Sequence, residues 1–297
     1  MPSPPRASAS PFPATIVTRD DLARVEAQSR RITTPCGDGD LVWHEWGAGE
    51  PVVLLHGGSG SWNHWVRNVP ALVAAGRQVL VPDMPGFGDS AAAPGVVDAD
   101  GLPPHLDTAI ATLLGQRSFD LVGFSFGSLV ATLLAERCGE RVQRLVLVGP
   151  FIVGDGDIPP LDLRPWAHIE RGPARDAIHR YNLGALMLAN ARSIDDLALA
   201  IHGANIERDR MRRRRLALTD LMAQTLPRIR RPVAAIWGTE DMSYRGRGHV
   251  AEKTVRLAPD CRVVAAIDGA GHWVQFEAPD AFDAALATAL AMPTGAG

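Results

Sequence analysis

From residue 31 onward, short apolar runs alternate with longer stretches in which apolar residues recur every three or four positions. The first pattern belongs to strands and the second to amphipathic helices. Residues 31–34 and 41–46 predict two early strands, parted by the turn residues Gly37, Asp38 and Gly39. Residues 51–56 (PVVLLH) form a nearly continuous apolar run, as expected of a strand covered on both faces. Residues 79–82, 121–124, 145–148, 233–237 and 263–267 read as further buried strands. Helical patterning covers 63–75, 104–115, 128–137, 250–257 and 279–291. Strand then helix, repeated, predicts an α/β fold: a mostly parallel eight-stranded sheet with helices on both faces.

One stretch breaks this rhythm. Residues 151–230 hold helical patterning interrupted by Pro and Gly, with no strand, and are far too long for a single crossover. They read as an inserted helical lid, so that 15–150 and 231–297 form the core. Residues 1–14, rich in Pro and Ser, read as a flexible tail.

The chain has 297 residues, 46% hydrophobic and 21% charged, which excludes a disordered chain, a coiled coil or a collagen. Net charge is −3, with 30 basic and 33 acidic residues, so nothing global points to nucleic acid. Only Lys253 is lysine, and the other basic residues are arginine. Cys36, Cys138 and Cys261 lie far apart without metal-ligand spacing, which suggests free thiols in a reducing compartment. With no apolar stretch of spanning length and no signal-like segment, the expectation is a cytoplasmic protein without a membrane partner.

Gly123-Phe124-Ser125-Phe126-Gly127 carries the most specific chemistry. It follows a predicted strand directly and precedes a helix, the setting in which G-x-S-x-G presents an exposed serine. A sharp turn there strains the serine backbone, and small residues two before and two after avoid collision. Serine needs an oriented base, and in this setting the chain order is Ser, acid, His. His272 lies just past the last predicted strand, in the glycine-flanked loop Asp268-Gly269-Ala270-Gly271-His272. The strand over 233–237 ends in Gly238-Thr239-Glu240-Asp241; Asp241 is the preferred acid, with Glu240 as the alternative. An oxyanion needs two preorganised N–H donors. Phe126 at the helix start offers one. Gly58, in the loop His56-Gly57-Gly58-Ser59-Gly60-Ser61, offers the other. That loop lacks the spacing of a phosphate loop, so nucleotide is not expected. His56 reads as a structural hydrogen-bonding residue.

The runs LLHGGSG, PDMPGFGDS, GFSFGS, IWGTED and GAGHWVQFE, in this order, resemble the α/β-hydrolase fold family. The resemblance spans residues 31–291 apart from the insertion. It implies a Ser125–Asp241–His272 triad, oxyanion donors at Gly58 and Phe126, and neither a metal nor an organic cofactor. Serine at the turn separates the chain from the dehalogenase and epoxide-hydrolase branches, which use Asp there. His272-Trp273 with Gln275 and Glu277, beside the HGG loop, is similar to the meta-cleavage-product C–C hydrolases. Two positions depart from those enzymes: they carry a polar residue where this chain has Phe124, and an Arg on a segment like 193–201, which has none here.

Phe87, Phe124, Phe126, Phe151 and Trp273 fall near strand ends, which predicts an aromatic-walled, mainly apolar pocket. Trp62 is a candidate for its acyl wall, whereas Trp65 fits core packing as well. The run IERDRMRRRR over 206–215 holds six arginines against two acids. A solvated helix face is the preferred reading over a nucleic-acid patch, and an inward Arg holding a substrate carboxylate is the third. Residues 151–230 carry 13 arginines against 10 acids, leaving 17 basic and 23 acidic residues elsewhere. A basic insertion over an acidic body favours anionic substrates. The resulting expectation is a serine hydrolase of small apolar carboxylic esters or lactones. A C–C hydrolase and a ligand-binding sensor on the same scaffold stand as alternatives, and a homodimer stays open.

Overall fold

The computed structural model describes residues 10–150, 162–211 and 213–294. Eight strands form one sheet: β1 (Arg30–Cys36), β2 (Gly39–Trp46), β3 (Glu50–Leu55), β4 (Arg77–Pro82), β5 (Phe119–Phe124), β6 (Val142–Val148), β7 (Val233–Gly238) and β8 (Cys261–Ile267). Their order is β1-β2-β4-β3-β5-β6-β7-β8. β2 pairs antiparallel with both β1 and β4, and every other pairing is parallel. The helices are α1 (Arg19–Ala27), α2 (Val69–Ala74), α3 (Leu102–Leu114), α4 (Phe126–Cys138), α5 (Pro173–Leu186), α6 (Asp196–Glu207), α7 (Leu221–Thr225), α8 (Gly248–Val255), α9 (Val274–Glu277) and α10 (Pro279–Leu290).

Alternating side chains of the central strands enter two separate cores. Val53 and Leu55 of β3 join Leu121 of β5 and pack with α3, α4 and α8. Val52 and Leu54 point the other way, with Val122 and Phe124, toward α2 and α10. Each fully buried Val, Leu or Phe contributes about 1.5–3 kcal/mol relative to exposure, which is why strands covered twice read as unbroken apolar runs.

Three local expectations need correction, and one helix was not expected. The tail does not extend to residue 14: residues 1–9 lie outside the described residues, and Phe12 is buried in the second core. α1, absent from the sequence pattern, follows a capping box in which the Asp21 N–H donates to Thr18 Oγ1 (3.1 Å) and the Thr18 N–H to Asp21 Oδ2 (3.0 Å). The helix expected over 63–75 is instead a tight turn at Trp62–Trp65 followed by α2, because Pro70 has no N–H to continue the turn and starts α2 afresh. β8 is half-exposed rather than buried, because it lies at the sheet edge. No strand lies between β6 and β7 among the described residues, and α5, α6 and α7 occupy that stretch. The first part of the expected lid, 151–161, lies outside the described residues.

Asp283 on α10 provides a test of this packing. Burial pushes its carboxyl up to about 7, against a hydrogen bond from Asn68 Nδ2 (2.8 Å) that acts the other way. An unfolded carboxylate ionises near pH 4, so between about pH 4 and 7 the folded chain holds a proton the unfolded chain releases. Wild-type stability therefore falls across that window. Asp283→Asn should be progressively more stable than wild type as pH rises from 4 to 8 in urea unfolding; a constant difference would contradict the assignment.

Candidate active site

β5 runs straight into α4, and Ser125 is the single residue between them. Its backbone lies at φ 53°, ψ −117°, a conformation that costs a non-glycine residue about 1–3 kcal/mol. Neighbouring atoms leave no slack: a Cβ on Gly123 would fall 2.2 Å from Gly127 O, and one on Gly127 2.4 Å from His56 O. The Ser125 N–H donates to Val148 O at 2.8 Å, tying the turn to β6.

His272 follows β8 and reaches Ser125 from above the sheet: Nε2 lies 2.8 Å from Ser125 Oγ and Nδ1 2.7 Å from Asp241 Oδ2. Asp241 follows β7, is fully buried, and takes the Ser243 N–H on Oδ1 (2.8 Å). With Nδ1–H donating to the carboxylate, the Nε2 lone pair faces the serine hydroxyl. Glu240, the alternative acid, is instead paired with the exposed Arg245 at 3.1 Å. Glu277 holds the histidine loop: its Oε2 accepts from the Gly271 (2.7 Å) and Ala189 (3.0 Å) N–H groups, and Oε1 from Asn190 N–H (2.7 Å).

Ser125 and His272 open onto a cavity of about 370 Å³ that Gly58 and Phe126 also border. Neither the Gly58 nor the Phe126 N–H has a protein acceptor among the described residues. His56 uses both ring nitrogens: Nδ1 donates to Gly57 O (2.8 Å), and Nε2 accepts from Met84 N–H (2.9 Å). Burial lowers its pKa to about 4. A larger polar cleft of about 620 Å³ lies around Arg77, Asp120 and Arg144 and contains no serine–histidine pair.

Of the predicted pocket residues, Phe124 borders the cavity and Phe151 lies outside the described residues. Trp62 and Trp273 do not border it. Residues three apart in a tight turn share a side, so Trp62 and Trp65 both point inward; Trp62 packs on His44 and Trp46, with ring centroids 4.8 and 5.5 Å apart. Trp273 stacks on Phe276 at 4.1 Å and donates its indole N–H to His64 O (3.0 Å). The cavity wall instead holds His64, His202, Trp166 and Met187, none of which the sequence pattern marked.

The arginine run is not a helix face, because α6 stops at Glu207. Arg208 pairs with Asp89 at 2.8 Å, and Arg210 donates to Gly88 O at 3.1 Å. Arg212 lies outside the described residues. Arg214 turns into the cavity, its guanidinium carbon 5.8 and 5.9 Å from the Phe87 and Phe126 ring centres. Nη1 donates to Asp209 Oδ2 and Met211 O (both 2.7 Å), and Nη2 to Ser59 Oγ (3.0 Å). Of its five N–H donors this leaves one on Nη2 and the one on Nε without a described partner, and Nε faces Gly58. Ser59, at φ 49°, is itself held by its hydroxyl donating to Asp209 Oδ2 (2.6 Å).

Residues 52–285 match the model of the alpha/beta hydrolase family, and the chain belongs to that family. A 2-hydroxy-6-oxo-6-phenylhexa-2,4-dienoate hydrolase of Burkholderia cepacia is 29% identical over 258 residues, covering 80% of this chain and 86% of that protein. The fold is shared with a meta-cleavage product hydrolase from Pseudomonas fluorescens (TM-score 0.68, 23% identity, 87% of this chain and 97% of that one). It is shared equally with a thermophilic esterase from Thermogutta terrifontis (TM-score 0.64, 22% identity, 89% and 98%). No described helix is long and apolar enough to cross a membrane, and no described His, Cys, Asp or Glu cluster could hold a metal ion.

Replacing Glu277 by Ala leaves three backbone N–H groups without their acceptor, at a cost of about 1–3 kcal/mol for each one that stays buried. Glu277→Ala should lower the urea midpoint and slow turnover together, since the same loop carries His272. A variant unchanged in both would contradict this tether.

Proposed function

We propose that this hydrolase is a serine enzyme acting on small carbonyl substrates through Ser125, His272 and Asp241, with carboxylic esters or lactones as its first substrate class. The observation that carries the reading is the unbroken relay of 2.8 and 2.7 Å contacts from Ser125 through His272 to Asp241. Ser125 Oγ attacks the carbonyl carbon while His272 Nε2 takes its proton. The oxyanion faces the Gly58 and Phe126 N–H groups. Collapse expels the leaving group, which takes the proton from His272. Water then gives a proton to the same nitrogen, attacks the acyl carbon, and releases the acid as the proton returns to Ser125. Asp241 keeps the imidazole oriented and stabilises it while it is charged. Side chains from 162–230, among them Trp166, Leu186, Met187 and Ile206, wall the cavity and support a lid role for this insertion.

A second reading is favoured by two specific observations. The Burkholderia cepacia relative is named for hydrolysis of a dienoate, and Arg214 presents, at the cavity, N–H donors that have no partner among the described residues. These would hold a carboxylate, the role that segment 193–201 leaves unfilled. In this C–C hydrolase reading the same serine attacks a ketone, and the leaving carbon takes the proton.

A fluorophosphonate probe should label wild type and leave Ser125→Ala unlabelled; equal labelling of both would remove Ser125 from the mechanism. Comparing kcat/KM for p-nitrophenyl butanoate and a 2-hydroxy-6-oxo dienoate separates the two readings. Tight ligand binding without turnover of either would favour a sensor. If Arg214 holds a carboxylate, Arg214→Met should raise KM for the carboxylate substrate by about 10–100-fold, the loss expected for a charged hydrogen bond. KM for a neutral ester should stay within a few-fold of wild type.

A further inference from the structure

His64 forms part of the cavity wall beside Ser125 and His272, yet the relay does not use it. The residue is 4% exposed, and its ring is packed by Trp273, Phe124 and His56, with centroids 4.9, 5.6 and 6.1 Å away. The Gly57 N–H donates to Nδ1 at 3.2 Å. A ring nitrogen that accepts a hydrogen bond carries no proton, so a neutral imidazole here must carry its proton on Nε2. Burial first, then the neighbouring His56, His202 and His272, hold the ring pKa well below its usual 6.5. The ring is therefore neutral at ordinary pH, and Nε2 has no lone pair with which to act as a base. Among the described residues that Nε2–H has no acceptor, while the ring borders the cavity.

We infer that His64 is a specificity-determining residue whose Nε2–H donates to a second oxygen of the substrate, close to the carbonyl that Ser125 attacks. The acceptor class is a neutral or anionic oxygen: ether, carbonyl or carboxylate. A hydrocarbon group in its place leaves a buried donor unmatched, the situation in which a site built for hydrogen bonding discriminates most strongly. Gly57 precedes Gly58, so the bond that fixes the His64 tautomer also fixes the loop presenting the Gly58 N–H. This inference rests on the serine-hydrolase reading and adds to it the kind of substrate the site prefers.

Two amide substitutions separate recognition from support of the loop. His64→Asn can place an amide oxygen where Nδ1 accepts from Gly57 but offers nothing at the Nε2 position. His64→Gln places an amide nitrogen near Nε2. The readout is the ratio of kcat/KM for p-nitrophenyl methoxyacetate over p-nitrophenyl butanoate, a pair of matched shape, with 2-methoxyethyl over butyl butanoate testing the alcohol side. For one of the pairs the ratio should fall about tenfold in His64→Asn and stay near wild type in His64→Gln, as loss of one hydrogen bond predicts. Unchanged ratios for both pairs in a folded His64→Asn would overturn the inference. Nitrogen NMR of the labelled histidines gives a second readout independent of turnover: His64 should be neutral with its proton on Nε2, and a proton on Nδ1 would equally overturn it. If wild type hydrolyses no ester, the functional reading fails in its ester form, while the NMR result still decides for or against the donor.

Discussion

The backbone of Ser125, held at φ 53° and ψ −117°, is the constraint around which the rest of the site is arranged. A conformation costing about 1–3 kcal/mol persists only where its surroundings leave no alternative. β5 lies between β3 and β6, so the strand cannot shift to relieve the turn. α4 begins at the next residue, and the Ser128 hydroxyl, 2.6 Å from Gly123 O and 3.0 Å from Val148 O, joins the first turn of that helix to both strands. The strain stands the hydroxyl above the sheet, and the same turn leaves the Phe126 N–H without an acceptor among the described residues. His272 and Asp241 then need only follow their own strands, β8 and β7, to complete a line through Ser125 Oγ.

Much of this is legible in the sequence, because the physics involved is local. Strands buried on both faces must be apolar in succession, which marks β3 to β7. Gly123 and Gly127 bracket Ser125 because any side chain would strike backbone within 2.5 Å. Asp241 and His272 sit one turn past their strands, where loops approach Ser125. What escaped depends on distant partners. The direction of Trp62 is set by a turn whose first N–H is held by Asp83, 21 residues away. Arg214 enters the cavity because Ser59, 155 positions earlier, and Asp209 receive it. α1 escaped because, of its apolar residues, it offers the core only the buried Val25 and the part-buried Leu22, too little for a periodic signal.

Burial also sorts charge, at the cavity wall (His64, His202) and elsewhere in the interior (His44, His56). His44, His56, His64 and His202 are all held below their ordinary pKa, mainly by desolvation, so these rings act as oriented neutral groups. The guanidinium of Arg214 is partly balanced by Asp209 at 2.7 Å. Hydrogen bonds in such a poorly solvated space are stronger than in water, and donors without acceptors are correspondingly costly. Gly58, Phe126, Arg214 and His64 bring N–H donors to the cavity wall, and Phe124, Leu186 and Met187 bring apolar surface to it.

The central claim is that Ser125 carries the acyl group during turnover. Rapid quenching of the protein during hydrolysis of p-nitrophenyl butanoate, followed by peptide mass mapping, tests this directly. The account predicts a butanoyl mass on the peptide containing Ser125, at a level that rises when deacylation is slowed. Turnover accompanied by no adduct, or by an adduct on another residue, would contradict it.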